Sequence, residues 1–198
     1  MAVHIIVVRP GAGYSPQNNK DALDRFAHDN GYTLETVGES HLGESYDRYP
    51  CEDVNGTKWG RGCARSPPDL ESFTEELVVP LYIQRLEEGK RVVLFFGSRG
   101  GQVCLPALWR LGCQPRAIVI NAGCCRGEVT PPADGGKLAL VSCSDDYFPT
   151  RNPAVIEAWV AHHQRTNNTR VFILDGEGHM PTLTPPMLTH WCHWLLHT

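Results

Sequence analysis

The stretch Arg91-Val92-Val93-Leu94-Phe95-Phe96-Gly97-Ser98-Arg99-Gly100-Gly101-Gln102-Val103 decides how the chain reads. Its first half is a continuous apolar run of β-branched and aromatic residues, which predicts a short strand buried on both faces. Its second half puts three glycines and a serine into five positions, then turns into a helix over residues 103–111. A serine on so sharp a strand-to-helix turn projects its hydroxyl above the sheet, and the tight turn needs small neighbours. The amide of the next residue, Arg99, sits at a helix N-terminus and is suited to stabilising an oxyanion.

Outward from this stretch the same alternation recurs. Residues 4–8, 32–37, 117–121, 137–142 and 171–174 read as further short strands. Helical spacing is predicted over 16–30, with Gly31 where the helix should stop, over 70–88 with a kink at Pro80, over 153–164, and in a last helix carrying Met187, Trp191, Trp194 and Leu195. Residues 39–70 form a long polar loop containing Tyr46, Tyr49 and Trp59. Apolar strands alternating with helices predict a mostly parallel sheet of about six strands covered on both faces, a three-layer α/β/α sandwich. Ligands of such sheets bind beyond the carboxyl ends of the strands.

Composition agrees with a single domain over residues 1–198. The chain is 41% hydrophobic and 20% charged, with a formal net charge of -4, which fits a globular protein and neither a disordered chain nor a nucleic-acid groove. No apolar run approaches the roughly 20 residues of a membrane span. The N-terminal segment passes straight into a strand without the features of a secretory signal, so a cytoplasmic location with reduced Cys51 and Cys63 is expected. Cys104, Cys113, Cys124, Cys125, Cys143 and Cys192 lie in or beside apolar segments and read as small hydrophobes. His190 and His193 have a spacing that suits a metal, but no third ligand completes a site, and Trp191 and Trp194 read as core.

The loops after the strands carry the chemistry. After strand one comes Arg9-Pro10-Gly11-Ala12-Gly13, and after strand five Ser144-Asp145-Asp146-Tyr147-Phe148-Pro149, an acidic pair where an orienting carboxylate belongs. After strand six Asp175-Gly176-Glu177-Gly178-His179-Met180-Pro181 delivers a histidine on a glycine-rich turn. Serine, aspartate and histidine follow one another in the order known for one large class of serine-nucleophile sheets. Two glycine-rich loops after strands also admit a phosphate-cradling, nucleotide-binding domain, although Gly11-Ala12-Gly13 lacks the third glycine at the required offset.

On these residues the chain resembles the α/β-hydrolase superfamily of serine hydrolases, over almost its whole length. The resemblance implies a minimal α/β-hydrolase fold without the first two strands of the eight-stranded version. It also implies no cap domain, since about 15 residues separate strands four and five. Ser98 would be the nucleophile, His179 the base and Asp145 the orienting acid, with Asp146 as its rival. The amides of Ala12 and Arg99 would form the oxyanion hole, and Gly11, Gly13 and Tyr147 would contact substrate. The expected substrate is a small acyl compound, an ester or thioester, cleaved without cofactor or metal.

The chain departs from the family at Phe96, which stands where the nucleophile motif G-x-S-x-G has its first glycine, and at Pro10, where histidine is usual. Aligning Gly97 as that first glycine instead would put Arg99 at the nucleophile position; the Ser98 register keeps Gly100, Gly101 and Val103 in place. The departures leave a second expectation open, a hydrolase-like protein that binds a ligand or partner without catalysis.

Overall fold

The computed structural model describes residues 1–9, 17–38, 71–97, 101, 104–121, 136–143, 161, 168–175 and 181–197. Its centre is a six-stranded sheet of β1 (Val3–Arg9), β2 (Thr33–Gly38), β3 (Arg91–Gly97), β4 (Ala117–Asn121), β5 (Lys137–Cys143) and β6 (Thr169–Leu174). The order is β2-β1-β3-β4-β5-β6, and every neighbouring pair is parallel. The continuous apolar runs therefore lie where they were expected, in strands covered on both faces. Leu94, Phe96, Ile118, Leu138 and Leu140 are wholly buried.

Two cores flank the sheet. On one face Val3, Ile5, Val7, Val93, Phe95, Val119, Ala139 and Val141 pack with α1 (Gln17–Asp29) and the last helix, α4 (Pro185–His197). On the other, Ile6, Val8, Val92, Leu94, Phe96, Ile118, Leu138 and Leu140 pack with α2 (Val79–Glu87) and α3 (Leu105–Arg110). The alternation follows from the period of two along each strand. Trp191 and Trp194 are buried in the first core, as their spacing indicated. The expected kink at Pro80 takes another form: a π-helical turn over Thr74–Val78 leads into α2. In it the Val79 N–H bonds to the Thr74 carbonyl, and the widened ladder falls next to the residue that has no N–H to give.

The helix stops are legible residue by residue. Gly31 has φ +66, its N–H bonds to the His28 carbonyl at 3.1 Å, and the Tyr32 N–H reaches the Ala27 carbonyl at 2.8 Å. This is the paired-bond stop that a left-handed residue after the helix makes possible, and Gly89 and Gly112 repeat it. Each stop feeds a strand, so three of the six strands are entered from equivalent turns. The loop 39–70 and all of the expected helix over 153–164 except residue 161, which is helical, lie outside the described residues.

Candidate functional site

Chain direction selects the edge. The order β2-β1-β3 means that the chain moves outward from β1 to β2 and then returns past β1 to begin β3. The connection leaving β1 leads to α1 on one face, while that leaving β3 leads to α3 on the other. In open parallel sheets such a reversal leaves a crevice outside the carboxyl ends of the two strands, and ligands bind there. Sheets of several functions share this order, so topology alone locates the crevice and says nothing of its chemistry.

The rim of the crevice is described to the last strand residues. Val8 pairs with Phe96, Phe96 with Ile120 and Gly97 with Asn121, while at the far side Cys143 pairs with Leu174. Ser98 is the residue immediately after Gly97, Asp145 the second after Cys143, and His179 the fifth after Leu174. Ser98, Arg99, Asp145, Asp146 and His179 themselves lie outside the described residues, as do Gly11, Ala12, Gly13 and Tyr147. The structure thus describes the strand ends that precede the expected residues in the chain.

Of the two residues that depart from the family pattern, Phe96 is described and Pro10 lies outside the described residues. Phe96 is completely buried and belongs to the same core cluster as Val8, Cys104, Leu105 and Leu108. Cys104 and Gly101, the described residues just ahead of α3, are small and buried. The ring is therefore core material beneath the start of that helix. Burial pushes the Cys104 thiol up to about 12 and the Cys192 thiol likewise to about 12, so neither is a nucleophile.

One side chain near this edge escaped the sequence reading. Asn19, in the first turn of α1, is only 1% exposed. Its Nδ2 donates to the Pro181 carbonyl at 2.9 Å, and its Oδ1 accepts the Leu183 N–H at 2.7 Å. The partner segment begins two residues beyond His179. No local pattern marks such a residue, because its partners are more than 160 positions away.

The opposite edge holds a charged network of another kind. His4 lies on β1 at 3% exposure, with Nδ1 2.6 Å from Thr33 Oγ1 and Nε2 2.5 Å from Glu35 Oε1. A carboxylate only accepts, so Nε2 carries the proton and Nδ1 accepts from the threonine hydroxyl. Arg85 grips Glu35 through Nε at 2.7 Å and a second nitrogen at 3.0 Å. The Arg85 hydrogen bonds hold the Glu35 carboxyl below its usual range, while burial outweighs the neighbouring carboxylate and holds His4 below the ordinary imidazole value. Among the described residues no cluster of three or more histidine, cysteine or acidic side chains is arranged to hold a metal. No described helix is long and apolar enough to cross a membrane.

No protein-family model matches the chain, and no curated protein matches it in sequence. Solved structures do resemble it. TT1662 from Thermus thermophilus superposes with a TM-score of 0.59 at 19% identity, over 100% of this chain and 90% of that one. MGS-MChE2, an alpha/beta hydrolase enzyme from the sediment metagenome of the Mar Chica lagoon, Morocco, gives 0.59 at 14% identity, covering 98% and 90%. An alpha-beta serine hydrolase homologue from Coxiella burnetii gives 0.58 at 16% identity, covering 98% and 85%. At these identities the likeness is one of fold, and it extends over nearly the whole chain.

Proposed function

Since the chain has a small, three-layer α/β-hydrolase-like fold, we propose that it is a serine hydrolase cleaving a carboxylic ester or thioester through an acyl-enzyme on Ser98. The observation that carries the reading is the coincidence of topology and sequence. The serine, the acidic pair and the histidine each follow a strand at the carboxyl edge, and the serine follows the strand that borders the reversal.

The spans are compatible. Neighbouring strands lie about 4.8 Å apart, so β5 and β6 stand roughly 10 and 14 Å from β3. Ser98 needs no reach, being next to Gly97. Asp145 has two residues of chain beyond β5, and His179 has five beyond β6, or up to about 17 Å of extended backbone. Loop length thus grows with the distance to be crossed.

In this reading His179 accepts the Ser98 hydroxyl proton as the oxygen attacks the acyl carbon. Asp145 fixes the imidazole tautomer and stabilises the imidazolium that forms. The amides of Ala12 and Arg99 bind the developing oxyanion, each contributing roughly 2.7–4 kcal/mol to barrier lowering. The proton passes from His179 to the leaving alcohol or thiol, and water then resolves the acyl-enzyme by the same steps. Gly11 and Gly13 let the backbone approach the substrate, Tyr147 contacts it, and residues 39–70 supply a roof over the site. No step calls for a metal or cofactor. A single domain over 1–198 working in the cytoplasm completes the reading.

Buried Phe96 favours one other function, a hydrolase-like binder without turnover, because its ring occupies the motif position usually given to glycine. Hydrolysis of a panel of 4-nitrophenyl esters and acyl thioesters of increasing chain length separates the two. The hydrolase reading expects turnover of at least one member that Ser98→Ala and His179→Ala both abolish. Activity equal in wild type and both variants, or none on any substrate by well-folded protein, contradicts it.

A further inference from the structure

A buried primary carboxamide is an expensive choice for holding one helix against another. Apolar contacts already join α1 to α4: Leu23 and Phe26 share a core with Leu188 and Trp191. Asn19 does something those contacts do not. Its amide makes two opposed hydrogen bonds to one strip of backbone, giving a proton to the Pro181 carbonyl and taking one from the Leu183 N–H. Paired bonds of this kind fix both the position and the orientation of the strip, whereas apolar packing fixes neither closely. Pro181 and Leu183 are themselves buried, and the proline ring limits the backbone at the clip.

The two ends of the clip matter because of what they adjoin. Asn19 lies in the first turn of α1, seven residues after Ala12 in the chain, and Pro181 lies two residues after His179. The segment carrying His179 follows β6, an edge strand whose neighbour in the described sheet is β5. A base so far from β3 needs an anchor on the nucleophile side of the sheet. Resting on the serine-hydrolase reading above, we infer that Asn19 is a positioning residue that holds the His179 loop in register with the oxyanion loop after β1, so that base and oxyanion donor are set by one buried carboxamide.

The test combines catalysis with hydrogen exchange in the full-length protein, using a 4-nitrophenyl ester and a fluorophosphonate probe. Misplacement of about 1 Å costs on the order of 10²-fold, so Asn19→Ala is expected to lower kcat and the labelling rate by about 10–100-fold with KM within about twofold. Amide exchange in the peptide 176–183 quickens in the same variant. Asn19→Asp keeps the size and the acceptor but loses the donor while ionised. Its kcat relative to wild type should rise as pH falls and the protonated carboxyl again donates to the Pro181 carbonyl. This second variant serves if Asn19→Ala does not fold.

Wild-type kcat and labelling rate in a folded Asn19→Ala or Asn19→Asp protein overturn the inference and leave the serine-hydrolase reading standing. Unchanged exchange at 176–183 overturns it as well. A wild-type protein inert to both ester and probe overturns the reading, and the role of Asn19 falls with it.

Discussion

The two edges of this one sheet use polar residues in contrasting ways. At the amino edge a set of described charges is joined into one network and to the end of a helix. Glu35 joins His4 to Arg85, Arg85 reaches on to Glu88, and Lys90 pairs with the same glutamate. Arg91 and Lys137 donate to the carbonyls of Leu196 and Trp194 at the end of α4, while the Arg170 guanidinium lies over the Trp194 ring at 4.9 Å. Cations at a helix C-terminus complement its dipole, so this edge is electrostatically closed. At the carboxyl edge the chain instead places a glycine-flanked serine, an acidic pair and a histidine, one after each of three strands. In the proposed reading the difference separates polar residues that make structure from those that meet a substrate, on the same six strands.

The largest expected effect comes from the carboxyl edge. On the proposed reading, in which Ser98 is the nucleophile, Ser98→Ala should lower kcat by roughly 10⁴-fold or more while leaving the melting temperature nearly unchanged. Steady-state kinetics beside a thermal melt read both quantities. Phe96→Ala tests where that edge ends and the core begins. With the ring fully buried, the truncation should cost about 3–5 kcal/mol in denaturant unfolding. If it costs less than about 1 kcal/mol, Phe96 belongs to the site and not to the core.

The amino edge should answer in the opposite sense. His4→Ala leaves the Glu35 and Thr33 groups without their partner and opens space beside β1, for a loss of roughly 2–3 kcal/mol. kcat of the folded fraction should not move. A fall in kcat out of proportion to the fall in folded protein would show the two edges to be coupled.

A subtler effect separates them by pH. Burial holds His4 below its ordinary 6.5, so the unfolded chain takes up a proton there before the folded one does. Stability is then complete above about pH 6.5 and declines as pH drops below it. Glu35, held below its ordinary 4.5 by the Arg85 hydrogen bonds, adds a second loss that begins near pH 4.5. In His4→Gln only the second decline should remain in a pH series of urea unfolding curves. The smallest effect concerns the thiols. Burial raises Cys104, Cys113 and Cys192, so peptide-mapped alkylation of the native protein at pH 7.5 should leave these three unmodified.

What was legible in the sequence followed from range. Strands β1 and β3 announce themselves as continuous apolar runs because neighbours cover both faces, and their burial agrees. The start of β6 was missed: Thr169 and Arg170 are polar, Arg170 and Ile173 are exposed, and an edge strand carries no unbroken apolar signal. Gly31 was readable because a helix stop is a local event. The strand order, the His4–Glu35 pair and the Asn19 clip were not, since their partners lie from about 30 to more than 160 residues away and a polar residue in a strand or helix looks like a solvated one. The proposed site is read only as order and spacing along the chain, with Ser98, Asp145 and His179 each just past an apolar run. Its residues lie outside the described ones, so that reading rests on the strand ends that precede them.

The most direct test of the central claim is the intact mass of the protein after exposure to a fluorophosphonate probe, for wild type and Ser98→Ala side by side. The account predicts one adduct on wild type, mapped to the peptide containing Ser98, and none on the variant. An adduct of equal yield on both, or no adduct on a wild type shown to be folded, would contradict it.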